Sequence, residues 1–303
     1  MISRKILAAA LAVSLWAGAA ATVRADDAAI AETGRKVLAS CDKAVISVTV
    51  TIKLSMQGDM AGARLNEQEK KNEIAATLLD PSGLAICSLT ALDPTSAMGN
   101  LKVNVGGEQK SFRIKADISE AKYRLPDGTE VPARVVLKDE DLDLAFLAPE
   151  KPLDAADRAK ILTLNLADSA KDLQLLEPVI FVSRLGKQVG YESAVSLGRV
   201  SARLTRPRTE YIAGGAPGQP AFTKDGKLLG IVLTHRRGEQ DIDVMGGMAA
   251  LQREMTAVII PAADIVEAAN QAKEEAKKPP KKKEAAADKA PEKAPETAPE
   301  KKE

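Results

Sequence analysis

Pro220-Ala221-Phe222-Thr223-Lys224-Asp225-Gly226-Lys227-Leu228-Leu229-Gly230-Ile231-Val232-Leu233-Thr234 reads as two short strands, Pro220–Thr223 and Leu228–Thr234, around a tight turn. Asp225-Gly226 supplies the positive-φ positions that a hairpin turn needs. A glycine- and proline-rich loop, Gly215-Ala216-Pro217-Gly218-Gln219, leads into the hairpin. The same construction occurs earlier: Tyr123–Leu125, then Asp127-Gly128, then Val131–Leu137.

Working outward, the spacing predicts strands almost everywhere. From Val45 to Met56, Ile46, Val48, Val50, Ile52 and Leu54 alternate with Ser47, Thr49, Thr51, Lys53 and Ser55, which predicts a strand with one buried face. Residues 57–72 read as a long polar loop. Strands are predicted at 73–79 and 84–89 around the turn Asp80-Pro81-Ser82-Gly83. Further strands are predicted at 101–105, 112–116, 143–147, 178–183, 191–204 and 258–260. Helices are predicted at 28–41 and 262–276, the second with Ile265 and Val266 inward. Many short strands with frequent turns predict an all-β barrel or sandwich carrying short N-terminal and C-terminal helices.

The two ends of the 303-residue chain read differently from the middle. Residues 1–25 carry a basic start (Arg4, Lys5), an apolar stretch (Ile6–Ala21) and a small-residue cleavage pattern, the pattern of a secretory signal. Residues 26–43 form a helical lead-in, 44–272 the folded domain, and 273–303 a Lys/Glu/Ala/Pro tail whose composition predicts disorder. The expected setting is therefore an exported one, periplasmic or extracellular, without a membrane span, and with possible cell-envelope association through the tail. Leu38-Ala39-Ser40-Cys41 resembles a lipobox, but charged residues separate it from the apolar stretch, so it reads as a chance match.

A formal net charge of +1 argues against a nucleic-acid or polyanion binder. Two cysteines, Cys41 and Cys87, and one histidine, His235, argue against a metal site, and nothing points to a cofactor. In an exported chain Cys41 and Cys87 are candidates for a disulfide worth about 4 kcal/mol in the chain-entropy account. Two buried thiols are the alternative reading.

Three stretches resemble the trypsin-like serine proteases, specifically the Deg (high-temperature-requirement) type. Leu125-Pro126-Asp127-Gly128 through Val135-Val136 to Asp143-Leu144-Ala145-Phe146-Leu147 is similar to a strand–turn–strand leading into that family's D-L-A-V-L motif. Gly198-Arg199-Val200-Ser201 resembles its G-x-V-S strand. Gly215-Ala216-Pro217-Gly218-Gln219-Pro220, followed by Leu229-Gly230-Ile231, resembles its G-N-S-G-G-P loop and the strand pair after it. The resemblance spans residues 44–269 and implies a trypsin-like double β-barrel with a cleft between the barrels.

It also implies a degenerate triad. Asp143 stands where the family's aspartate orients the histidine, Thr90 stands at the histidine position, and Pro217 at the nucleophile position. Acyl transfer of this kind needs an attacking hydroxyl, a base and oxyanion donors. Pro217 has neither hydroxyl nor N–H, and Thr90 is no base near neutral pH. Gly215 and Gly218 remain as remnants of the oxyanion loop. His235 falls on the family's substrate-binding strand, and with Arg236 is a candidate cleft-binding residue. An ordinary strand-end histidine is the plainer reading.

Two charged groups stay open. Asp139, Glu140, Asp141 and Asp143 fit a solvated turn or a cation site. Arg203, Arg206, Arg208, Arg236 and Arg237 fit a basic cleft edge or a solvated rim. Met245-Gly246-Gly247-Met248 reads as a flexible loop, its methionines either a partner-binding surface or, the plainer reading, core filling. The expected function is that of a pseudoprotease without a peptide-binding module after it, holding an unknown protein or peptide partner or acting as a scaffold. A serine-type hydrolase with a rearranged site, such as a Ser–Lys pair, is the alternative.

Overall fold

The computed structural model describes residues 26–58, 69–105, 108–170, 172–235, 240–243 and 255–279. The expected signal (1–25), the stretch 245–248, Arg236 and Arg237, and the tail from residue 280 lie outside the described residues.

Helix α1 (26–41) opens the described chain. Strands β1 (Val45–Gly58), β2 (Lys70–Leu78) and β3 (Ala85–Ser88) follow, then the one-turn helix α2 (Leu89–Leu92). Strands β4 (Met98–Val105), β5 (Glu108–Arg124), β6 (Glu130–Asp139) and β7 (Leu144–Pro149) complete the first unit. Its sheet runs β1-β2-β3-β7-β6-β5, and β1 pairs again with β5, so six strands close into a barrel. The two short strands predicted at 101–105 and 112–116 belong to longer ones. β5 is 17 residues long because its first part pairs with β4 and the far end of β1 while its second part closes the barrel.

After the short helix α3 (Ala155–Arg158) come β8 (Pro178–Arg184), β9 (Ser193–Arg199), β10 (Ala202–Leu204), β11 (Glu210–Ile212), β12 (Pro220–Thr223) and β13 (Leu228–His235). β14 (Gln240–Asp243) crosses to the first sheet and pairs in parallel with β4. β15 (Thr256–Pro261) returns to the second sheet, and α4 (Ala262–Lys277) closes the fold. The second sheet runs β10-β11-β15-β13-β12-β8-β9. Its two end strands are consecutive in the chain, so the predicted strand 191–204 is a single run bent at Val200, which is fully buried. Gly198 sits where this bend meets the neighbouring chain: a Cβ there would lie 2.1 Å from the carbonyl oxygen of Ala213. The closed six-strand barrel and the open seven-strand half-barrel together fit the trypsin-like double β-barrel expected from the sequence.

Period-two alternation fills separate cores. Ile46, Val48, Val50, Ala85, Cys87, Ala145 and Leu147 fill the first barrel. Val179, Phe181, Val200, Tyr211, Leu229 and Val232 fill the second. The opposite faces of the same strands (Leu84, Ile86, Leu144, Phe146, Ile231, Leu233) pack between the barrels under α1 and α4. Strands at this junction are buried on both faces, which is why 144–148 is continuously apolar. The one-sided burial expected of β1 is corrected accordingly: Ser47 and Thr51, on its expected solvent face, are also buried.

Three further expectations need correction. The proposed Cys41–Cys87 disulfide is absent; both are free, buried thiols. Cys41 belongs to the junction core and Cys87 to the first barrel, where their Sγ atoms lie 3.0 Å from Val37 O and 3.6 Å from Ala145 O. Residues 26–43 are part of the domain, since α1 contributes Val37 and Cys41 to the junction core. The folded region also runs past 272. α4 continues to Lys277, with Ala272 fully buried and Arg134 Nη2 donating to the carbonyls of Ala276 (2.8 Å) and Lys278 (2.7 Å). No helix among the described residues is long and apolar enough to cross a membrane.

Candidate functional site

Asp143 is the centre of the barrel junction. The acidic run before it is a turn, held by Leu142 N–H donating to Asp139 Oδ1 at 3.0 Å. Asp143 itself takes the left-handed conformation at φ 56°, which a short polar residue tolerates better than most. That geometry sends its side chain inward, where it is 1% exposed.

A buried carboxylate needs donors on both oxygens, and it has them. Oδ1 accepts from Thr90 N–H at 2.8 Å and from the Thr90 hydroxyl at 2.6 Å. Oδ2 accepts from the Ser88 hydroxyl at 2.5 Å and from Thr234 N–H at 2.8 Å. The main chain adds Leu89 N–H to Asp143 O at 2.8 Å. Ser88 serves twice, because its Oγ also accepts from Ala91 N–H at 3.2 Å and caps α2. Ser88 and Thr90 belong to the first barrel and Thr234 to β13 of the second, so one carboxylate joins the two.

The glycine-rich loop lies across the same junction. Gly218 N–H donates to Val232 O at 2.7 Å, and Gly218 O accepts from the Thr77 hydroxyl of β2 at 2.8 Å. Gly218 has φ 91°, and a Cβ there would sit 2.1 Å from Ala75 O; only glycine fits between the loop and the first barrel. The tight turn is closed by Gln219 N–H to Ala216 O at 3.2 Å, while Gln219 Oε1 takes Ala216 N–H at 3.1 Å. Pro217 stands at the tip of this turn, half-buried, between exposed Gly215–Ala216 and buried Gly218.

Residues 87–231 match the trypsin-like peptidase domain. No curated protein matches the chain. The matched span begins three residues before Thr90 and contains Asp143 and Pro217. Within that span the Thr90 hydroxyl donates to the Asp143 carboxylate. The loop Gly215–Gln219 lies within it too, anchored through Gly218 and Gln219 with Pro217 at its tip.

His235, the single histidine of the chain, is one residue beyond Thr234, and alternation along β13 turns it to the other face. Its Nδ1 lies 2.6 Å from Glu210 Oε2. Glu210 is 4% exposed, and its Oε1 lies 3.3 Å from Arg208 Nε, close enough for charge pairing but not aligned as a hydrogen bond. Arg208 Nη2 donates to Asp141 O at 2.5 Å. Arg203 is committed to Asp172 at 2.7 Å, while Arg206 is exposed. The suggested basic edge is thus divided, with two of its arginines already neutralised. Among the described residues, no group of three or more His, Cys, Asp and Glu could hold a metal ion.

Of the residues the sequence singled out, the structure joins Thr90 to Asp143 and ties Gly218 to Thr77 and Val232, while Gly215 packs on Phe181 and Val232 of the second sheet. The sequence missed Ser88 and Thr234 as donors to Asp143, Thr77 as the loop's anchor, and Glu210 as the partner of His235. Only the location of Thr77, Ser88 and Thr234 on apolar strands hinted at buried hydroxyls.

Proposed function

We propose that this chain is an exported pseudoprotease: a trypsin-like double barrel that binds a protein or peptide, or scaffolds one, without cleaving it. The observation that carries this reading is the saturation of Asp143 by Ser88, Thr90 and Thr234. In a working triad the aspartate holds an imidazole in the correct tautomer and orientation. Here that coordination is complete without one, and the chain's only imidazole is paired with Glu210. The proline at position 217 supplies no attacking oxygen and no oxyanion N–H. Ser88, hydrogen-bonded to the aspartate, is fully buried and its hydroxyl donates to the carboxylate, which speaks against a rearranged hydrolase built on it.

The test is activity-based labelling. The purified protein, treated with a fluorophosphonate beside an active trypsin-like protease, remains unlabelled and leaves an unfolded protein substrate intact while the control is labelled and cleaves. Labelling that survives heat-denatured controls and maps to one serine overturns the reading. A pull-down from the exported fraction then identifies the partner.

A further inference from the structure

The second sheet ends on β9, whose only paired neighbour among the described residues is β8. The bonds just beyond its two ends show which backbone groups face β8: Leu185 N–H donates to Glu192 O at 2.9 Å, and Val200 N–H to Glu177 O at 3.0 Å. Even-numbered residues therefore turn their N–H and C=O toward β8. By the alternation of an antiparallel ladder, Ser193, Val195 and Leu197 turn theirs outward, where no strand among the described residues pairs with them. Such edges are usually blunted by lysine, proline, a bulge or short length. β9 is seven residues long, with no proline and no charge before Arg199. β10, at the other end of the sheet, has three residues and carries Arg203.

Seven large apolar side chains are exposed among the described residues, and six of them border this edge. Val195 and Leu197 stand on it. Leu185 and Val189 lie in the turn before it, and Leu175 and Leu176 lie beside its far end, where Leu176 N–H donates to Val200 O at 2.8 Å. Leu176 is 71% exposed and left-handed at φ 68°, a conformation that bulky side chains disfavour and that packing of its own side chain does not offset.

We propose that a second copy of this chain covers the edge, the two β9 strands pairing antiparallel about a two-fold axis close to Ser196. A contact of this kind must be complementary to itself, and this surface is. Antiparallel pairing brings the Leu175–Leu176 end of one edge to the Leu185–Val189 end of the other. Helix α1 obeys the same symmetry. It lies over β8 and β9, since a Cβ on Gly34 would sit 3.5 Å from Val195 Cγ2 and 3.9 Å from Ile180 Cγ2, and its Asp27 lies 4.0 Å from Arg199. Strands paired across the axis are about 4.8 Å apart, which sets the two α1 helices at about the 8–10 Å of packed helices. Asp27, Ala31 and Arg35 follow at four-residue intervals on the exposed side of α1. Reversing one helix against the other places Asp27 of each beside Arg35 of the other, with the small Ala31 between them. A foreign extended peptide would use the backbone groups alone; the matched apolar ends and the change of sign along α1 are what a second copy uses.

Sedimentation of the purified protein across a concentration series tests this, and the expected result is a monomer–dimer equilibrium. Leu197→Lys puts a charge on the edge and raises the dimer dissociation constant about ten-fold or more. Asp27→Arg and Arg35→Asp each weaken the dimer, and the two together restore it, which a folding defect cannot do. Ser196→Cys gives a disulfide-linked dimer on mild oxidation, because directly opposed residues of a non-hydrogen-bonded pair lie about 4.5 Å apart, within disulfide reach. The native thiols are buried, and Lys224→Cys, exposed in the β12–β13 turn, gives no such link. A monomer at every concentration, a dimer indifferent to Leu197→Lys, a charge-swapped pair no stronger than the single variants, or no link through Ser196→Cys each overturns the proposal.

Discussion

Replacing Asp143 separates a structural joint from a catalytic part. Asp143→Ala removes the acceptor of four donors: two hydroxyls and the N–H groups of Thr90 and Thr234. The hydroxyls can turn elsewhere, and Ser88 Oγ already lies 3.4 Å from Thr234 Oγ1. The two buried N–H groups cannot. Each unpaired buried donor costs about 1–3 kcal/mol, and an alanine forced to stay left-handed adds about 1–2 kcal/mol. The expected loss is therefore about 3–8 kcal/mol, a large share of the roughly 5–15 kcal/mol that holds a domain together. Asp143→Asn tolerates the left-handed backbone, and one of its two terminal atoms still accepts. Whichever way the amide is turned, one backbone N–H meets an NH₂, for a loss of about 1–3 kcal/mol. Guanidinium unfolding followed by far-UV circular dichroism measures both variants. An Asp143→Ala change within about 0.5 kcal/mol of the wild type, the range of an uninvolved surface site, refutes the reasoning. Equal damage from Asn and Ala does so as well. In a working triad the Asn change acts on rate while leaving the geometry intact; here it acts on stability.

Three other outcomes follow from the same structure. Thr90→His with Pro217→Ser returns the base, the hydroxyl and the missing N–H together, so fluorophosphonate labelling is expected in the double variant and in neither single one. Cys41 and Cys87 are expected to resist a thiol reagent in the native protein at mildly alkaline pH and to react in guanidinium. Burial and the charge of Asp42 push the Cys41 thiol up to about 12, burial and the charge of Asp143 raise Cys87 as well, and an intact mass short of two hydrogens would contradict both. Lys160 and the Thr129 backbone and hydroxyl hold the exposed Asp127 carboxyl at about 2. Because its folded pKa lies below the unfolded value of about 3.9, its contribution is present above about pH 4 and is lost as pH falls through about 2. Asp127→Asn is therefore expected to be less stable than the wild type at neutral pH, with the gap closing between pH 4 and 2 in unfolding curves.

Much of this architecture was legible because its signals are local. Asp127-Gly128 and Asp225-Gly226 each mark a hairpin, β5–β6 and β12–β13. Alternation along 45–56 marks β1, and the three family-like stretches fixed the order of the barrels. What was not legible depends on contacts distant in sequence. β11 is three residues long, and nothing in Glu210-Tyr211-Ile212 distinguishes it from the loop around it. The cysteines looked pairable because sequence carries no information about which core each enters. The domain boundary at 272 was placed too early because Arg134, far away in the chain, supplies the partners for the last carbonyls of α4. The site shows the same division. Asp143 stood out by its motif, whereas Ser88 and Thr234 become its donors, and Glu210 the partner of His235, only when the strands are brought together.

That division also separates the contacts the two barrels need from those they do not. Asp143 accepts hydrogen bonds from both barrels, and Thr90 gives it two of them, through its hydroxyl and its backbone N–H to Oδ1. Proline at position 217 is compatible with the loop. The anchoring bonds of the loop belong to Gly218, Gln219 and Ala216, none of which needs an N–H or side chain from residue 217. Asp143 and Gly218 are by contrast the residues the barrels cannot do without: the first takes donors from both, and the second leaves no room for a Cβ against Ala75 O.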